Sequence, residues 1–143
     1  NLMDDLRSGI NSCTLIDLGM IHNPSGNMTI IQNGVSLPFN IKRIYYLYDV
    51  PAGSERGGHA HKALFQVIIA ASGSFDVFLN DGKLSKRVTL NRPNKGLIVG
   101  PGIWRELDNF SSGAICLVLA SEKYDRADYI YSYTDFQNIK ATL

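Results

Sequence analysis

The chain has only two cysteines, Cys13 and Cys116, and they lie far apart. That spacing fits neither a redox pair nor a clustered zinc set, so a disulfide scaffold and a cysteine-zinc module are excluded. Two isolated thiols in a chain this long point to a reducing, intracellular setting. Cys116 falls inside the apolar run ICLVLA and reads as a core residue. Long apolar runs are also missing. None approaches the ~20 residues a helix needs to cross a bilayer, and no signal peptide is visible. A cytoplasmic location and no membrane partner are expected. Neither sign of charge dominates, with 14 basic and 13 acidic residues and a net charge of +1. Without a global basic field, nucleic acid is not an expected partner.

What is present suits one ordinary domain, expected over residues 1–143. Hydrophobic residues make up 45% of the chain and charged residues 19%, enough for a core and too apolar for disorder. Thirteen glycines and five prolines punctuate short β-rich runs. Strands are expected in TLIDLG, in GNMTIIQNG, in IKRIYYLYDV (41–50) and in ALFQVIIAASG (63–73). The run SFDVFLNDGKLSKRVTL contains Asn80-Asp81-Gly82 between two alternating stretches, a strong hairpin signal. GLIVGPGIW (96–104) and AICLVLASE (114–122) are two further strands. Turn signals recur roughly every 8 to 12 residues, the spacing of a sandwich or barrel. Only the ends look helical: a leading turn in MDDLRSG and a closing helix in TDFQNIKATL. The expected fold is all-β, a jelly-roll barrel of two antiparallel sheets with short helical ends.

Two of the three histidines stand together in GGHAHK, as His59 and His61. In a strand, residues two apart share a face, so both imidazoles point the same way. Such a pair can ligate a metal, move protons, or sit exposed. As proton carriers they suit working pH, because an unperturbed imidazole titrates near ~6.5. His22 lies alone in the polar loop HNPSGN and reads as a surface residue. Lys83, Lys86 and Arg87 read as solvated charges around the hairpin.

The spacing Gly53-x5-His59-x-His61-x4-Gln66-x6-Gly73 resembles the first motif of the cupin superfamily. Gln66 stands where metal-binding members carry Glu. Gly96 and Pro101 follow a weaker second motif, with Glu106 at the position of the third histidine ligand. On that resemblance His59, His61 and Glu106 would form a two-histidine, one-carboxylate set able to take a divalent ion, but a neutral amide at position 66 weakens the metal reading.

The flanking segments RIYYLYDV, RGGHAHK and GLIVGPGIWRELDNFSSGAICLVLASEKYDRADYI are similar to those of the cupin sugar 3,4-ketoisomerases, the FdtA-like and WxcM-like proteins. The similarity runs from about Leu15 to Phe136 and includes Ser121, Tyr124, Asp125, Asp128, Tyr129 and Ile130 in a closing motif that general cupins lack. Three departures stand out: Ser25-Gly26-Asn27 in the first hairpin, Gly58 before the histidines, and Arg105 after the tryptophan, where the family often has His.

The resemblance implies a cofactor-free, metal-independent isomerase acting on a dTDP-linked 4-oxo-6-deoxy sugar. The product would be the 3-oxo isomer, formed through an enediol(ate) and later aminated to a 3-amino sugar. His59 and His61 would be the catalytic pair, with His59 favoured as the base at C3. Arg43, Arg56 and Arg105 are candidates for the diphosphate, since guanidinium groups bind phosphate bidentately. Arg43, Tyr45 and Leu47 share one strand face, which makes Tyr45 the tyrosine on the arginine's side. Trp104 is a stacking candidate, and Gln66 and Glu106 are expected to orient the histidines or the sugar hydroxyls. Tyr124, Asp125, Asp128 and Tyr129 are expected to fix the C-terminal segment. A homodimer, with early strands exchanged between subunits, is implied as well. Rival readings are a 4-oxo-sugar epimerase, a metal-dependent cupin oxygenase, and a nucleotide-sugar binder without chemistry.

Overall fold

A computed structural model describes residues 5–143. The expected leading turn in MDDLRSG begins outside the described residues. Ten strands follow one another: β1 (Leu15–Asp17), β2 (Arg43–Leu47), β3 (Arg56–His61), β4 (Gln66–Ser72), β5 (Phe75–Asn80), β6 (Ser85–Leu90), β7 (Lys95–Val99), β8 (Trp104–Asp108), β9 (Ile115–Ala120) and β10 (Tyr129–Ile130). A helix, α1 (Tyr133–Ala141), closes the chain. The strands form two five-stranded sheets, ordered β1-β7-β4-β9-β2 and β10-β3-β8-β5-β6. Every pairing is antiparallel. The expected two-sheet, all-β architecture is present.

Side-chain alternation explains how the sheets meet. Ile68, Val77, Leu79, Leu97, Val99, Leu107, Cys116 and Val118 point between them and are buried in one apolar cluster. Phe75 stacks on Phe110 at 5.1 Å inside the same cluster. The opposite face of the first sheet is covered too. Val67, Ile69 and Leu119 pack against Leu18 and Leu37, so β4 is buried on both faces. That is why ALFQVIIAASG reads as a continuous apolar run rather than an alternating one.

Two expected strands differ. GNMTIIQNG makes no named strand, only an isolated Ile21–Met28 bridge. Gly19 and Gly26 take positive φ there, and the segment packs on the outside of the first sheet. GLIVGPGIW is two strands, β7 and the start of β8, separated by a tight turn. Gly102 in that turn has φ +75, and a Cβ would meet the Leu6 carbonyl oxygen at 2.5 Å. Only glycine fits. The Asn80–Ser85 hairpin forms as expected, with Asp81 accepting from the Lys83 and Leu84 amides. Helix α1 starts at Ser132, whose hydroxyl accepts from the Asp135 amide at 3.2 Å as an N-cap. Phe136 anchors the helix in a satellite cluster with Ala60, Trp104 and Ile130.

Candidate active site

The lumen between the sheets opens into a cavity of about 210 Å³ lined by Tyr45, Leu47, Arg56, Gly57, His59, Gln66, Ile68, Arg105, Leu107 and Val118. Five of the sequence candidates therefore meet in one place: Tyr45, Arg56, His59, Gln66 and Arg105. Strand β3 delivers two of them through a bulge. Arg56 pairs with Leu107 and His59 with Arg105, so three residues on β3 span two on β8. Gly57 takes φ +82 at this point. The extra residue brings Arg56 and His59 to the same face, although their odd spacing would otherwise separate them.

His61 lies behind His59 and is fully buried. The two rings meet edge to face at 4.8 Å. His61 Nδ1 and Asp128 Oδ2 are 2.9 Å apart, and Asp128 Oδ1 accepts from the Ala63 amide at 2.7 Å. With the carboxylate ionised, Nδ1 carries the proton and donates, leaving Nε2 as a free lone pair. Nε2 of both histidines is buried and without a partner. Tyr129 packs on His61 at 4.3 Å and on His59 at 5.2 Å, and Tyr131 stacks on Tyr129 at 5.2 Å. Arg43 crosses the same wall: its Nη2 donates to Tyr129 Oη at 3.2 Å, and its guanidinium lies 5.5 Å from the Tyr45 ring centre and 5.6 Å from that of Tyr124.

Burial decides the protonation state of the pair. Desolvation first, then the Arg105 cation and His61, push His59 down to about 3. Desolvation lowers His61 to about 4, although its hydrogen bond to Asp128 pulls the other way. Both imidazoles are neutral bases at pH 7. The folded pKa values lie below the ordinary 6.5, so the unfolded chain binds more protons across that gap. Stability is complete above about pH 6.5 and drains away as pH falls toward the folded values. The lowered Asp128 carboxyl adds to the loss at the acid end. Urea midpoints measured from pH 7.5 to 4 should fall, and the fall should be smaller in His59→Asn. A flat midpoint across that range would contradict the buried, neutral pair.

Two candidates lie elsewhere. Trp104 and Glu106 alternate with Arg105 and Leu107 along β8, so they face away from the lumen. Trp104 packs under α1 against Phe136, and its Nε1 donates to Glu106 Oε2 at 3.2 Å. The expected joining of Glu106 to the histidines is therefore corrected. Arg105 occupies the inward position, and one residue of phase on a strand inverts every side chain. The set His59, His61 and Glu106 is not assembled, and a guanidinium faces the imidazoles instead. A divalent cation does not fit those neighbours. Gln66 is in the lumen but touches neither histidine. Its Oε1 accepts from Arg105 Nη1 at 2.7 Å, and its Nε2 donates to Tyr45 Oη at 3.1 Å.

Asp128 was expected to do no more than fix the C-terminal segment, and its place on His61 is the main addition. Sequence carries a faint signal for it: two acids and two tyrosines in YDRADY, more functionality than a closing loop needs. The contact spans 67 residues and depends on β10 pairing with β3, which no local pattern announces. Outside the lumen, an open cleft of about 650 Å³ is lined by Lys42, Lys123, Tyr124, Asp125, Asp128 and Tyr129, among others. Asp128 is thus on the wall of this cleft while bonded to His61. His22 is exposed and bonds Asn27.

Residues 11–141 match the family described as FdtA: WxcM-like, C-terminal. The chain belongs to this family. A TDP-4-oxo-6-deoxy-alpha-D-glucose-3,4-oxoisomerase from Aneurinibacillus thermoaerophilus is 40% identical over 129 residues, covering 90% of this chain and 93% of that one. Among solved structures, a mutant of the 3,4-ketoisomerase QdtA from Thermoanaerobacterium thermosaccharolyticum, in complex with TDP-4-keto-6-deoxyglucose, superposes with a TM-score of 0.91. It is 37% identical, over 94% of this chain and 97% of that one. The WlaRB TDP-quinovose 3,4-ketoisomerase from Campylobacter jejuni is 46% identical with a TM-score of 0.85, over 90% and 99% of the two chains. Family membership and the lumen geometry thus point the same way as the flanking motifs.

Proposed function

We propose that this chain is an isomerase that moves the ketone of a thymidine-diphosphate-linked 4-oxo-6-deoxy hexose from C4 to C3. The observation that carries the proposal is a pair of packed, neutral imidazoles, His59 on the wall of one cavity and His61 directly behind it, in a chain of the ketoisomerase family. A cavity of about 210 Å³ takes one sugar ring and is too small for a whole nucleotide sugar. The diphosphate and thymidine then lie at the rim, where Arg56 and Arg43 supply cations.

The C3 proton is acidified by the neighbouring C4 ketone. His59 lines the cavity and takes that proton on Nε2, leaving an enediolate with its charge on the C4 oxygen. His61 Nε2 takes the C3 hydroxyl proton, becoming an imidazolium stabilised by Asp128, and passes that same proton to the C4 oxygen, so that it ends neutral. His59 then returns its proton to C4 as the C3 oxygen becomes the ketone. No atoms are gained or lost. Tyr45 lines the same cavity, and because its oxygen accepts from Gln66 its own proton is free to donate a hydrogen bond to the C4 oxygen.

The test is incubation with the 4-oxo nucleotide sugar in deuterated buffer, followed by NMR. The carbonyl should move to C3. A carbonyl still at C4 with inverted configuration would make the chain an epimerase. Unchanged sugar after long incubation would make it a binder.

We also infer a homodimer working in the cytoplasm. Ile44 and Tyr46 on β2, an edge strand of the first sheet, and Tyr48 just beyond its end form an exposed apolar row. Met20, Ile21, Met28 and Ile30 expose further apolar surface on the preceding arm. A second copy, with its arm laid across this edge, would cover both. Sedimentation should give twice the chain mass, and Tyr46→Glu should shift it toward monomer. A monomeric wild type would overturn this reading.

A further inference from the structure

Arg105 is a buried cation with no anion. It is 2% exposed, and burial lowers it only to about 10, so it is charged at neutral pH. Its partners are all neutral oxygens: Gln66 Oε1 at 2.7 Å, the Ile103 carbonyl at 3.0 Å and the Gly100 carbonyl at 3.1 Å. Its Nε is buried and unbonded. Among the described residues no carboxylate lies within ion-pair distance of it. Asp128 is already engaged by His61 and Ala63. Burying an unpaired charge is costly, and proteins ordinarily neutralise it. Here the surroundings are built to hold the charge and leave it uncompensated. The glycine-dependent turn between β7 and β8 supplies the two carbonyls.

We propose that Arg105 is the electrostatic element of this site, a fixed cation whose field in the lumen stabilises the enediolate formed on the sugar. The proposal rests on the isomerase reading and deepens it. Carbonyls and an amide orient the guanidinium without cancelling its charge. The charge therefore remains for the one anion that appears during turnover, in a site shielded from water where such a field is strongest. This also gives the amide at position 66 a meaning. A carboxylate there would pair with Arg105 and extinguish the field. Gln66 keeps the hydrogen bond and spares the charge, so it is a positioning residue. The same field opposes protonation of both imidazoles, and Arg105 depresses each of them.

The charged and titratable groups around the histidines are Arg43 and Tyr45 from β2, Arg56 at the head of β3, Arg105 from β8, and Asp128, Tyr129 and Tyr131 at and beside β10. Arg105 can be tested against that background with two variants. Gln66→Glu places a carboxylate against Arg105 and leaves the cation in place. Arg105→Lys keeps the charge and loses the fork. Gln66→Glu should lower kcat about 10²-fold, the loss typical of removing one stabilising group from a developing oxyanion. KM should change far less. Arg105→Lys should retain most of kcat, and Arg105→Gln should lose about as much as Gln66→Glu. Because Gln66 also bonds Tyr45, Gln66→Glu is repeated in Tyr45→Phe, where it should cost the same factor. Histidine titration by NMR, which needs no turnover, should move both imidazoles upward in Gln66→Glu. Thermal melts confirm that this added ion pair has not unfolded the chain.

Unchanged histidine titration in folded Gln66→Glu would overturn the proposal, as would unchanged kcat. Loss in Arg105→Lys as deep as in Arg105→Gln would overturn it too. Wild-type turnover, measured first, separates failure of the isomerase reading from failure of this one.

Discussion

His59→Asn should lose isomerisation and solvent exchange at C3 together. The side chain stands against the cavity, its Nε2 is unpartnered, and burial with Arg105 nearby keeps the ring neutral at working pH. Asparagine matches the imidazole in polarity and approximate size but cannot accept a proton. A positioned general base contributes about 10²- to 10⁴-fold, so kcat should fall by that order. Binding of thymidine diphosphate should survive, because the groups proposed for the diphosphate, Arg43 and Arg56, are untouched. His61→Asn should behave differently. If His61 serves only the oxygens, its variant should still wash deuterium into C3 while product formation stalls. Deuterium uptake and product formation, followed in one NMR sample, report on both. Wild-type rates in both variants would sink histidine catalysis altogether. Exchange lost in His61→Asn but retained in His59→Asn would reverse the division of labour.

Asp128→Asn should be nearly as damaging, for a different reason. Asn keeps an oxygen for the Ala63 amide, so the local fold is conserved. Its nitrogen, turned toward His61 Nδ1, becomes a donor where a carboxylate accepted. The ring must then carry its proton on Nε2, the wrong side for taking one from the sugar. The imidazolium formed during turnover also loses its counter-ion. In the Ser-His-Asp hydrolases the corresponding change lowers kcat by about 10⁴-fold while leaving geometry intact. A loss of about 10³- to 10⁴-fold is expected here, carried by kcat rather than KM. Nitrogen-15 shifts of His61 should show the proton on Nδ1 in the wild type and on Nε2 in the variant. A variant that loses activity without a change of tautomer would reduce Asp128 to a structural residue. A fully active variant would remove it from the mechanism.

Asp128 also shows where sequence reasoning stops. GGHAHK states its own geometry, because alternation along any strand puts His59 and His61 on one face. IYYLYDV and FDVFLN announce strands through their β-branched and aromatic residues, and NDG announces its turn. The face shared by Arg43 and Tyr45 followed from the same alternation, and β2 shows it. The error at Glu106 has the same origin. Resemblance to the second cupin motif suggested it as a third ligand, but the phase of β8 was set by which residues face the core. Leu107 and Ile103 are buried apolar anchors, and they carry Arg105 inward and Glu106 outward.

Sequence by itself determined most of the strands, the two-sheet class, the paired imidazoles and the family, since each rests on patterns within short windows. Tertiary structure alone decided the protonation states, the Asp128 contact, the cage of neutral oxygens around Arg105 and the eviction of Trp104 and Glu106. Those properties come from burial and from partners dozens of residues away. Desolvation and long-range contact exist only once the chain has closed.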